Sequence, residues 1–139
     1  MLSHTHAMKS IALPIADRER SYRFYRDLGL DTPGTTAADG VPEPLVIDVQ
    51  GFAVILVPTD GFRYVLNGRP LTPPTASECI LSLELTDRSD VDSWHRTAVA
   101  VGATSISAPE ARPWGYTAVV TDPDGHAWEA TAADSEHPA

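Results

Sequence analysis

The chain has 139 residues, 42% apolar and 21% charged, and its 19 acidic against 10 basic residues give a formal net charge of −9. This composition excludes intrinsic disorder and fits one domain with a buried core. The acidic balance argues against nucleic acid or an anionic membrane as a partner, because both require basic patches.

No apolar run approaches the roughly 18 residues that cross a bilayer. Residues 1–7 lack the apolar core of a signal peptide, and the single cysteine, Cys79, excludes an intrachain disulfide. We therefore expect a cytoplasmic protein with a flexible leader.

The first predicted elements are a strand, a helix and three more strands. Residues 8–16 alternate between apolar and other side chains, which predicts a half-buried strand. Asp17 follows as a helix N-cap, and Gly29 ends the amphipathic segment that comes after it. Three short strands are predicted next, over residues 32–38, 44–49 and 52–58.

The same order of elements occurs again about 70 residues later. Residues 79–86 alternate like the first strand. Ser89 and Asp92 have the spacing of a capping box, and they start a helix that ends at Gly102. The predicted strands after it cover residues 103–108, 116–121 and 126–131. The sequence therefore predicts two similar halves.

Turn residues mark the remaining boundaries. Asp122-Pro123-Asp124-Gly125 predicts a tight turn before the last strand. Several glycines and prolines predict a linker or lid between the halves. We expect one domain over residues 8–131, with a first module at about 8–58, a linker at 59–77, a second module at about 78–131 and a tail at 132–139.

Two segments, IALPIADRERSYRFYRDLGL and WGYTAVVTDPDGHAWEA, resemble the vicinal oxygen chelate superfamily, which contains glyoxalases, bleomycin-resistance proteins and dioxygenases. The resemblance runs from about Met8 to Thr131. It implies an α+β fold of two βαβββ modules, whose strands curve into a half-open, barrel-like mixed sheet with helices on the outside. It also implies a homodimer that completes a ligand cleft. One fold of this kind hosts several chemistries and pure binding.

The resemblance also implies where a metal ion would be held. Metal-using members place four ligands on the first and last strands of the two modules. These positions correspond here to Ser10, Leu56, Ile80 and Glu129. Only Glu129 has a side chain typical of a divalent-metal ligand. We therefore expect no cofactor. A divalent metal is the alternative, with further ligands from Glu84, His4 or His6.

Candidate ligand-binding residues follow from strand alternation and from aromatic residues in loops. Alternation predicts a cleft-facing set on the side of the strands away from the helices: Ser10, Ala12, Val54, Leu56, Ile80, Ser82, Glu84, Ala127 and Glu129. Four aromatic residues are predicted near the cleft mouth, or else in the core or a dimer interface: Phe62, Tyr64, Trp114 and Tyr116. Cys79 is interpreted as packing, and His126 as a turn or surface residue.

These residues predict a metal-free protein that binds a small, partly apolar or aromatic metabolite or an antibiotic, the latter in a resistance role. Glu129 is the expected main polar contact. One alternative is a divalent-metal lyase, isomerase or dioxygenase with Glu129 as a ligand. Another is a cofactor-independent enzyme with Glu129 or Glu84 as acid–base. Glu129 is also consistent with a structural carboxylate that Ser10, Ser82 or a backbone donor satisfies.

Overall fold

The computed structural model describes residues 10–133, so the predicted leader and residues 134–139 of the predicted tail lie outside it. The first half contains β1 (Ser10–Ile15), α1 (Arg18–Leu28), β2 (Leu45–Val49), β3 (Phe52–Pro58) and α2 (Thr59–Val65). The second half contains β4 (Ile80–Leu85), α3 (Arg88–Ala100), β5 (Thr104–Arg112), β6 (Gly115–Thr121) and β7 (Ala127–Ala132). No helix within residues 10–133 is long and apolar enough to cross a membrane.

The strands of residues 10–133 form a three-stranded and a four-stranded sheet with related strand orders. The first sheet has the order β1-β3-β2 and the second has the order β4-β7-β6-β5. In each sheet the first strand of the half pairs in parallel with its last strand, and the other neighbours pair antiparallel. The predicted α+β fold of two related halves is confirmed, and the two sheets do not close into a barrel.

Two elements differ from the sequence prediction. The strand predicted at 32–38 is wrong, because that region forms only the isolated bridges Asp31–Asp48 and Thr36–Pro42. Pro33 has no N–H to donate to a ladder, and Gly34 adopts a φ of 116° that turns the chain. The predicted linker instead contains a regular element, the short helix α2.

The helix caps show one correct and one incorrect prediction. Asp17 caps α1 by accepting a hydrogen bond from the Arg20 backbone N–H at 3.1 Å. The capping box of α3 is two residues earlier than predicted, since the Asp90 carboxylate accepts from the Asp87 backbone N–H at 3.0 Å. Ser89 and Asp92 are therefore not the box. Both pairs have the required spacing, so spacing alone does not choose between them.

The core lies on the helix-covered faces of the two sheets. In the first sheet Leu13 is opposite Leu56, which is in turn opposite Leu45, and all three are buried. The second sheet contributes Trp128 and Val120, which are opposite each other and also buried. Residues from both sheets belong to one hydrophobic cluster. Both halves therefore share a core.

A buried hydrogen-bonded group joins α1 to the second sheet. The Tyr25 hydroxyl donates to Asp122 Oδ2 and accepts from Trp128 Nε1–H at 2.9 Å. Asp122 Oδ1 accepts from the backbone N–H groups of Asp124 and His126, each at 2.9 Å. Tyr25, Asp122 and Trp128 are all buried. Burial raises the pKa of Tyr25 well above its ordinary value, and the neighbouring Asp122 charge raises it further.

Stability should depend on pH through Asp122. Burial raises the pKa of this carboxyl above its ordinary value, against the opposing effects of His126 and the Tyr25 hydroxyl. Its stabilising contribution is therefore present at low pH and is lost as pH rises through the raised folded pKa. As pH rises through that folded pKa, we expect the unfolding free energy of the native chain to fall relative to that of Asp122→Asn. Urea denaturation of both proteins between about pH 4 and 7 tests this, and a gap that stays constant or changes in the opposite direction contradicts it.

Candidate functional site

The face of the second sheet opposite α3 brings together several predicted site residues. Ile80, Ser82 and Glu84 alternate with core residues along β4 and are exposed. Ser82 is opposite Glu129 on β7, and its hydroxyl donates to Glu129 Oε1 at 3.4 Å. Glu129 is half-buried. We call this surface the open face; it presents a carboxylate, a hydroxyl and an aliphatic side chain side by side.

The open face also contains polar side chains that were not predicted. Thr117 is opposite Thr131 in the β6–β7 ladder, two positions along from the pair Val119 and Glu129, so both pairs lie on the same side of the sheet. The buried Oγ1 atoms of Thr117 and Thr131 have no hydrogen-bond partner in the described part of the chain. The same holds for Nε of Arg112, whose Nη2 donates to Ser107 Oγ at 2.6 Å. Extending the alternation from Glu129 to Thr131 identifies this row from the sequence.

The first sheet separates residues that were predicted to share a face. Ser10 is opposite Ala53 and Ala12 is opposite Ile55, and Ala12 is exposed. Val54 and Leu56, which are 1% and 2% exposed, belong to the alternate, core-facing positions. They therefore lie in the core and not on the face that carries Ala12, although Val54 also lines the smaller of the two cavities described below; their ligand-binding roles stay predictions. The physical reason is the parallel β1–β3 register, which the sequence pattern does not reveal.

The four loop aromatics have different surroundings. Phe62 lines a cavity. Tyr64 and Trp114 are 87% and 59% exposed and line neither of the two cavities described below. Tyr116 faces α3 and packs against the core, which is the alternative position expected for it rather than the cleft mouth. Its hydroxyl donates to Asp92 at 2.7 Å, and this bond raises the pKa of the phenol.

Two cavities lie near the free edges of β1 and β4. The larger, ≈ 550 Å³, is bounded by β1, α2, the linker and the β6–β7 turn. The smaller, ≈ 290 Å³, is lined by Ile80 and Ser82 and by core residues that include Val54. Cys79 lines both and is exposed, so its predicted packing role is wrong. His126 is half-buried and donates through Nε2 to the Pro14 carbonyl at 2.6 Å.

The donor set does not fit a divalent metal ion. The four positions that the resemblance assigns to metal ligands carry a hydroxyl, two aliphatic side chains and one carboxylate. Within residues 10–133, no three side chains of His, Cys, Asp or Glu are arranged to hold a metal ion. His4 and His6 lie outside the described residues. Metal independence therefore stays a prediction.

The sequence profile of the Glyoxalase/Bleomycin resistance protein/Dioxygenase superfamily matches residues 7–130. The chain belongs to this superfamily. The match covers both related halves, so the resemblance seen in the two motif segments is confirmed.

Comparison with individual proteins supports the fold and leaves the ligand open. An uncharacterized protein of Mycobacterium bovis is 33% identical over 91 residues, which are 65% of this chain and 58% of that protein. A glyoxalase-related enzyme from Fulvimarina pelagi has a TM-score of 0.77 and 24% identity, and the match covers 92% of this chain and 88% of that one. TnmS3, an antibiotic binding protein from Streptomyces sp. CB03234, has a TM-score of 0.65 and 22% identity, covering 96% and 100%.

Proposed function

We propose that this protein binds a small, partly apolar or aromatic molecule at the open face without a metal ion, with Glu129 as the main polar contact. The observation that carries this proposal is Ile80, which is 57% exposed beside Ser82 and the half-buried Glu129. An apolar side chain next to a few convergent polar groups is typical of small-molecule sites.

An antibiotic is one ligand class that this proposal includes. TnmS3 shares the fold and is an antibiotic binding protein, which supports testing antibiotics alongside aromatic metabolites. Binding with the ligand unchanged supports sequestration. Turnover that Glu129→Gln removes while binding remains would instead make the protein a cofactor-independent enzyme that uses Glu129 as acid–base.

We also propose that two copies complete the cleft in a cytoplasmic homodimer. The faces of both sheets that are turned away from α1 and α3 carry exposed residues, among them Ala12 and Ile80. A second copy placed against these faces would bury them and enclose the ligand. Sedimentation velocity should give twice the chain mass, and a monomer at micromolar concentration would contradict the dimer.

Glu129→Gln should weaken ligand binding about tenfold or more, because a carboxylate hydrogen bond contributes roughly 1.5–3 kcal/mol. The matched control is Glu84→Gln, which removes the same charge from an exposed position on the same face. We expect the control to change affinity less than about threefold. A thermal-shift screen of aromatic metabolites and antibiotics supplies the ligand, and calorimetry measures both variants.

Equal effects of the two substitutions would show that Glu129 is not the main polar contact, whether Glu84 also contacts the ligand or only the net charge of the face matters. Elemental analysis of protein purified without a chelator tests the metal-free part. Near-stoichiometric metal that is lost in Glu129→Gln would favour the divalent-metal lyase, isomerase or dioxygenase.

A further inference from the structure

The larger cavity is a second candidate site, separate from the open face. Its floor is formed by β1, by the start of β4 and by the β6–β7 turn. Its roof is formed by residues 66–79, which connect α2 to β4 and which we call the linker roof. The volume of ≈ 550 Å³ lies within the range of about 300–1,000 Å³ that small-molecule pockets occupy. Glu129 does not line it.

The floor of this cavity is apolar. Ile11 and Leu13 of β1 and Leu81 of β4 line it, and Phe62 of α2 closes one side. Such a lining favours the aliphatic or aromatic body of a ligand, because burying apolar surface contributes about 25 cal/mol per Å².

The two charged side chains of the linker roof that line the cavity have opposite signs and are not paired. Arg69 and Glu78 are both exposed, and across residues 10–133 neither forms an ion pair. The other carboxylate and the histidine at the cavity are already engaged, and Cys79 is a free, exposed thiol. Asp124 accepts from the Ala16 backbone N–H and from Arg20, each at 2.9 Å, and His126 donates to the Pro14 carbonyl.

We propose that this cavity binds a small zwitterion with an apolar body, such as an apolar α-amino acid. The carboxylate pairs with the guanidinium of Arg69, whose planar fork matches two carboxylate oxygens. The ammonium group pairs with Glu78, and the apolar body lies on the floor formed by β1 and β4. Because the site does not include Glu129, the inference does not depend on the function proposed for the open face.

Three probes that share one indole body test the charge pattern. L-Tryptophan carries both charges, indole-3-propionate only the carboxylate and tryptamine only the ammonium group. Calorimetry should show L-tryptophan binding about fivefold more tightly than either analogue, since one exposed ion pair contributes up to about a factor of five. Arg69→Gln should weaken L-tryptophan and indole-3-propionate about fivefold and leave tryptamine unchanged. Glu78→Gln should weaken L-tryptophan and tryptamine and spare indole-3-propionate.

A second set of variants tests the location. Ala76 and Thr72 are exposed roof residues that line the cavity, so Ala76→Trp or Thr72→Trp should fill it and remove binding of all three probes without lowering the unfolding midpoint. Two substitutions keep the test decisive if one of them alters folding. Backbone amide shifts on adding L-tryptophan should be largest at Gly125 and in the linker roof.

Two results would overturn the proposal. The first is that L-tryptophan binds no more tightly than indole-3-propionate or than tryptamine. The second is that Ala76→Trp and Thr72→Trp leave the affinity for L-tryptophan unchanged. Glu129→Gln should leave L-tryptophan binding unchanged. If Glu129→Gln removes this binding and the roof variants do not, the probe occupies the open face; that result rejects the cavity site and leaves the Glu129 proposal standing.

Discussion

Tyr25→Phe should lower the unfolding free energy by about 3 kcal/mol, although it removes a single oxygen atom from a residue on the core side of the second sheet. The hydroxyl donates to Asp122 Oδ2 and accepts from Trp128 Nε1–H. Its loss leaves both groups buried without a partner, and each unsatisfied buried group costs about 1–3 kcal/mol. Asp122 Oδ1 keeps its two backbone donors, so the cost comes from Oδ2 and the indole N–H. Urea denaturation monitored by tryptophan fluorescence measures the change.

Tyr22→Phe is the matched control for this substitution. Tyr22 lies on the same helix and is half-buried, with the Arg26 guanidinium 5.4 Å from its ring centroid. We expect the control to change the unfolding free energy by less than about 1 kcal/mol, as is usual for changes at the surface. A loss below about 1 kcal/mol in Tyr25→Phe itself would show that the buried group does not hold α1 against the second sheet.

The sequence predicts the elements of this fold well because two patterns occur twice. A strand with period-two alternation followed by a capped helix appears in each half, and β1, α1, β4 and α3 match it closely. The tight turn at Asp122–Gly125 is also present, with the Gly125 N–H donating to the Asp122 carbonyl at 3.0 Å. These features depend on residues close together in the chain, so local rules suffice for them.

The orientation of site residues is harder to predict because it depends on register between distant strands. The resemblance assigns both Ser10 and Leu56 to metal-ligand positions. Leu56, however, pairs with Leu13 and is buried in the core. A shift of one residue reverses every side chain of a strand. Tyr116 shows the same effect, since it points towards α3 and bonds to Asp92.

The second sheet provides one contact that the sequence allows for. Ser82 is one of the partners expected for Glu129 as a structural carboxylate, and the β4–β7 register brings the two side chains together. The sequence does not single out Thr117 and Thr131, whose buried hydroxyls lack a partner within residues 10–133, because neither residue type signals function on its own. The two cavities depend on the path of the linker, which the glycine and proline pattern leaves undefined.

Gly125→Ala is the second substitution that we expect to lower the unfolding free energy strongly, because the backbone of Gly125 touches the linker roof. A Cβ atom at this position would lie 2.8 Å from the Pro74 carbonyl carbon and closer still to the Pro74 oxygen. The φ of 88° adds strain for any residue with a Cβ. Gly51 is a matched control, since it has the same φ of 88° and open space around the Cβ position. We expect Gly51→Ala to cost about 1 kcal/mol and Gly125→Ala about 2 kcal/mol more.

The comparison of these two variants separates backbone strain from contact with the linker. If the linker moves away at little cost, Gly51→Ala and Gly125→Ala will have the same unfolding free energy. The Ala76 amide donates to Pro73 O at 3.0 Å, and in that case its hydrogen exchange will be faster only in Gly125→Ala. Equal stability with unchanged exchange would contradict the contact.

Gly125 lies in the turn that also holds Asp122 and Asp124, whose carboxylates bind α1. One turn therefore connects the linker roof to the buried Tyr25 group, so a Cβ at Gly125 should disturb the cavity while leaving the open face at Glu129 intact.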